Sequence, residues 1–206
     1  MKLRKILIAV VCLAVFVSIP VWGAITGSEH DFSGKSWSGG EICIVCHTPH
    51  NADTSVAGAP LWNHEVTVAT FTLYSGPGTL NATDMGQPAG VSKLCLSCHD
   101  GTVALDSFSG STGSEYMTGS ELLGTDLSND HPISFTYDAA LATADGGLFD
   151  PTTQSSGLGG TIDVDLLMGN KLECSSCHDV HDKYGNSKLL VVSNAGSALC
   201  MTCHDK

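Results

Sequence analysis

The chain has 206 residues with 9 Lys+Arg against 21 Asp+Glu, which leaves room for one or two small domains. Three of the nine bases lie in the first five residues. The remaining 6 bases face 21 acids, a formal charge of −15 with no arginine, and that excludes a nucleic-acid partner.

Residues 1–23 read as a secretory signal peptide, with Lys2, Arg4 and Lys5 as its positive start. Ile6 to Ile19 is an apolar run too short for a comfortable membrane span. Val21 and Gly23 are the small residues before a cut at Ala24, so Cys12 is discarded with the leader. No later stretch approaches the ~18 apolar residues that a span needs. The expectation is an exported mature chain, periplasmic or extracellular at the cell surface, with no membrane span.

The other eight cysteines fall in one pattern, C-x-x-C-H: Cys43, Cys46, His47; Cys95, Cys98, His99; Cys174, Cys177, His178; Cys200, Cys203, His204. This is the attachment sequence of c-type haem. Two thiols add across the two vinyl groups of a porphyrin, and the adjoining imidazole is the proximal iron ligand. Disulfides, zinc sites and redox dithiols also use paired cysteines, but none needs His after every pair. Four haem c groups per chain are expected, each motif forming one or two helical turns.

The composition agrees. Aromatics at 6% and 23 glycines make a poor aliphatic core, which four flat apolar macrocycles would replace. The expected fold is a multihaem cytochrome c. It is mostly irregular, with short helices at the haem motifs and few short strands, wrapped around a stack of four haems. Ser-, Gly- and Thr-rich residues 107–114 and 152–161 read as surface loops. Ile162, Val164 and Leu166 alternate with Asp163 and Asp165, a strand signal, and Leu189 to Val192 reads as another strand.

The chain also repeats itself. His30-Asp31-Phe32-Ser33 resembles His131-Pro132-Ile133-Ser134. Cys43 to His50 and Cys174 to His181 are both C-x-x-C-H-x-x-H. Leu94 to Asp100 and Leu199 to Asp205 both read L-C-x-[ST]-C-H-D, each preceded by Ala-Gly. Two dihaem units follow, residues 24–120 and 121–206.

Five histidines remain as sixth ligands. His30, His50, His131 and His181 have counterparts in the other unit, whereas His64 has none and is the weaker candidate. Methionine ligands are set aside because enough imidazoles are present. His50 and His181 lie three residues beyond a proximal His and project to its side of the turn. Each must therefore cap a haem other than its own. Two assignments stay open for His50. It caps the Cys95/Cys98 haem, as His181 would cap the Cys200/Cys203 haem, or it reaches the last haem of a second chain.

The segments Glu29 to Ser33, Cys46 to Asn51, Pro60 to His64 and Asn129 to Ser134, with Cys174 to Lys206, carry a family likeness. The chain resembles small exported tetrahaem cytochromes with the paired (doubled) CXXCH motif, among them the OmcE type that polymerises into extracellular filaments. The resemblance implies bis-His haems in a continuous stack, one of them completed by a neighbouring subunit, and hence a homopolymer. It also implies electron transfer, without catalysis, to other redox proteins or extracellular acceptors. The rival is a multihaem reductase of nitrite, sulfite or a similar oxyanion. That enzyme needs an open iron position and a cationic clamp, whereas five spare histidines and no mature arginine are present.

Overall fold

The computed structural model describes residues 25–75 and 80–205; the leader, with Cys12 and the cut at Ala24, lies outside the described residues. The α-helices are α1 (Gly90–His99), α2 (Ala139–Asp145), α3 (Ile162–Asp165) and α4 (Ala198–Cys203). Strands β1 (Phe135–Thr136) and β2 (Lys171–Leu172) pair antiparallel, Phe135 opposite Leu172 and Thr136 opposite Lys171. Short 3-10 turns occupy Phe32–Gly34, Ser36–Ser38, Cys174–Ser176, Ser187–Leu189 and Ala195–Ser197. Turns and loops make up the rest, as the composition implies. Among the described residues no helix is long and apolar enough to cross a membrane.

The side-chain core is small, and its larger cluster lies in the second repeat. Phe135, Tyr137, Leu141, Ala142, Ile162, Leu166, Leu167, Leu172 and Val191 form one buried cluster. A second cluster is only Phe71, Leu96 and Leu127, and Ile133 packs against both. The Tyr137 hydroxyl satisfies itself inside the larger cluster by donating to the Phe149 carbonyl at 2.7 Å. Asp138 caps α2, accepting from the Leu141 amide at 2.8 Å, and Gly146 ends it at φ 69°.

Two expected strands are corrected. Residues 162–165 are the helical turn α3, with Leu166 N–H donating to Ile162 C=O at 2.9 Å. Ile162 and Leu166 are four apart, a spacing that fits one face of a helix as well as alternate positions of a strand. Val164 decides between them: a strand would bury it with its neighbours, and it is 72% exposed. Leu189 to Val192 is not a strand either. Leu189 turns at φ 56°, and Leu190 makes a single antiparallel bridge to His178.

That bridge exposes more of the repeat than the residue types do. Asp179 N–H donates to Leu189 C=O (2.7 Å) and Val191 N–H to Cys177 C=O (2.9 Å). In the first half Thr48 N–H donates to Leu61 C=O (2.9 Å) and Asn63 N–H to Cys46 C=O (3.0 Å). Leu61, like Leu189, has positive φ, 54°. Leu61-Trp62-Asn63 is thus the structural counterpart of Leu189-Leu190-Val191. His64 then corresponds to Val192, so it has no histidine partner in the repeat. The two loops differ in length, which hides this match from the sequence.

Residues 107–114 and 152–161 lie largely on the surface as expected, though Ser107 and Ser156 are buried and brace their own loops. Ser107 Oγ accepts from Gly113 N–H at 2.9 Å, and Ser156 Oγ from Leu158 N–H at 3.0 Å.

Candidate functional site

The four C-x-x-C-H segments fold alike although they sit on different elements. The second lies on α1 and the fourth on α4, the third starts in a 3-10 turn, and the first is an isolated turn. In the first, third and fourth, the motif His N–H donates to the carbonyl of the first Cys, at 2.9, 3.0 and 3.0 Å. The i to i+4 bond wraps one turn, which sets both thiols and the imidazole around a common point. None of the eight motif cysteines is in a disulfide.

The proximal imidazoles are oriented by backbone acceptors. Nδ1 of His47, His99 and His178 meets the carbonyls of Pro60 (2.7 Å), Glu121 (2.8 Å) and Lys188 (2.9 Å). A proton on Nδ1 leaves the Nε2 lone pair free, the tautomer that an iron requires. His131 meets the Pro132 carbonyl in the same way at 2.9 Å. None of these carbonyls is visible in a residue pattern, because any residue supplies one.

Three proximal rings face three candidate distal rings. Centroids are 6.1 Å apart for His30 and His99, 6.2 Å for His47 and His181, and 6.3 Å for His131 and His204. An iron–nitrogen bond of about 2 Å, with each ring centre about 1 Å behind its nitrogen, sets two rings on one metal about 6 Å apart. The spacing therefore suits one iron between each pair. Burial, followed by the positive charges that His99, His178 and His181 can carry, lowers the His30 pKa to about 4. His30 is thus neutral, as a ligand must be, and its buried Nδ1 has no hydrogen-bond partner. Trp62 Nε1 and Ser175 Oγ, beside the first and third motifs, are also buried without partners, donors that haem carboxylates could use.

His181 thus lies beside His47 of the first motif, His30 beside His99 of the second, and His131 beside His204 of the fourth. His64 is 2% exposed, and both its ring nitrogens are engaged, Nδ1 at 2.8 Å from Glu65 C=O and Nε2 at 2.9 Å from Ala104 C=O. It packs beside Cys98, whose Sγ lies 3.6 Å from Nε2.

The thiols run in sequence order. Cys46 lies near Cys98, Cys95 near Cys174, and Cys177 near both Cys200 and Cys203. Burial raises Cys46 and Cys203 to about 11 and Cys98 to about 12.

Residues 168–206, the third and fourth motifs, match the family described as the doubled CXXCH motif. No curated protein matches the chain. The matched segment is a multihaem c-type cytochrome-like motif, which indicates covalent haem c and supports electron transfer.

Proposed function

We propose that the mature chain is an exported electron-transfer protein carrying four covalent haem c groups, each with two imidazole ligands. The observation that carries this reading is the spacing of the three ring pairs, His30/His99, His47/His181 and His131/His204. The fourth pair follows from the repeat. His181 lies three residues beyond His178 and faces His47, so His50, three beyond His47, is the counterpart ligand for His178. His30 and His131 cap the second motif of their own unit, and His50 and His181 are exchanged between the units 24–120 and 121–206.

When bound, haem c would supply a one-electron centre, and ligation of each iron by two imidazoles would keep it low-spin. The protein holds the sulfurs of consecutive motifs next to one another, so electrons have short steps along the order first, second, third, fourth. With every iron position filled, no site is left for an oxyanion, so catalysis is not part of the reading. The donors and acceptors are other redox proteins or extracellular acceptors. A filament of these chains, which the resemblance implies, would be held by surfaces other than a His50 donated to the last motif.

The test is the optical spectrum of the oxidised protein exported with its haems. Only low-spin bands are expected; a high-spin fraction would favour the reductase.

A further inference from the structure

Glu173 is a buried carboxylate, 4% exposed, immediately before the first cysteine of the third motif. Its side chain reaches across the repeat to the start of α1, the helix that carries the second motif. Glu173 Oε2 accepts from the Ser92 amide at 3.3 Å, from the Ser92 hydroxyl, and from the Ser134 hydroxyl at 2.9 Å. The N-cap residue of α1 is Ala89, whose side chain makes no cap bond, so Glu173 caps this helix from 81 residues away. A helix N-terminus favours an anion, and three donors hold the charge in place. Ser92 closes the arrangement, because its Oγ also accepts from Cys174 N–H at 2.9 Å. Gly90 completes it. At φ 50° it admits the close approach, and a Cβ there would lie 3.1 Å from Glu173 Oε1.

The charge therefore sits where the second and third motifs meet, among Ser92, Cys95 and Cys174. The repeat lacks it elsewhere: the residue before Cys43 is Ile42. Asp100 is a second buried carboxylate, but it lies past the other end of α1, bound to Thr67 and Thr102.

We infer that Glu173 is a potential-setting residue, a fixed negative charge that holds the two central haems more oxidised than the outer two. This rests on the four-haem reading. A buried charge acts strongly because little solvent screens it, and an anion opposes the arrival of an electron.

The test is spectroelectrochemical titration of the haem-loaded chain and of Glu173→Gln, with Glu173→Asp as the charge-conserving control. Gln keeps an acceptor for the serines and loses the charge. It should raise a midpoint potential by about 59 mV, a tenfold change in a one-electron equilibrium. Asp should leave the potential near that of the native chain. Unchanged potentials in Glu173→Gln with all haems attached would overturn the inference. Too few haems in the native protein would instead strike the reading beneath it. If the Gln variant does not mature, the native chain carries the test, its haems assigned by NMR. Those on Cys95/Cys98 and Cys174/Cys177 should titrate below the other two, and any other order overturns the inference.

Discussion

At the residue scale, the histidines separate by what their ring nitrogens touch. His64 spends both nitrogens on carbonyls, while His181 presents its ring to His47, with only a 3.6 Å approach of its Nδ1 to Asp179. His181→Ala should expose one iron and add a high-spin component to the oxidised spectrum. His64→Ala should leave the spectrum low-spin and lower stability by about 1–3 kcal/mol, through a buried gap and the loss of the one N–H that the ring donates to a carbonyl. The opposite pattern in the two spectra would reverse the assignment. The repeat singles out four of the five spare histidines as candidates because each of the four has a counterpart in the other unit. Their pairing was not legible, because it depends on which motif the folded chain brings opposite. His30 and His99 are far apart in sequence, and no local rule joins them.

At the element scale, short segments are decided by what they pack against. α3 and the 189–192 segment both carry apolar runs that read as strands. The first becomes a helical turn because only Ile162 and Leu166 have a core to meet, and the second lies along the third motif through one bridge. Ile162→Ala should cost about 2–5 kcal/mol in a denaturant titration and Val164→Ser close to nothing. A comparable loss at both positions would restore the strand. The small sheet is tied to the first repeat by Asp84, which accepts from Lys171 Nζ and from the Thr136 hydroxyl at 2.7 Å. These donors, Lys171 first, hold the Asp84 carboxyl well below the usual carboxylate range. A depressed folded value means the contribution is present above about pH 4, the unfolded value, and is lost as pH falls through the folded one. The pair is partly exposed, so the effect is modest. Asp84→Asn should lower the melting temperature at pH 7 and flatten its fall at acid pH; melting curves that keep the native acid dependence would remove Asp84 as its source.

At the scale of the whole molecule, regular structure is sparse among the described residues, and the larger buried cluster lies in the second repeat. Six of the eight motif cysteines are half-buried, Cys43 and Cys200 are exposed, and three pairs of imidazoles lie about 6 Å apart. The four haem motifs and the scarcity of regular structure were legible because C-x-x-C-H is local chemistry and the composition is poor in core residues. The correspondence of Leu61-Trp62-Asn63 with Leu189-Leu190-Val191 was not, because it is written in backbone hydrogen bonds and not in residue types. Glu173 was equally silent, since a carboxylate before a cysteine gains meaning only when α1 is folded against it. Every C-x-x-C-H segment is expected to carry its haem, and the intact mass of the exported protein tests this most directly. A polypeptide beginning at Ala24 plus four haem masses is the expected result; a well-matured protein carrying three or fewer would overturn it.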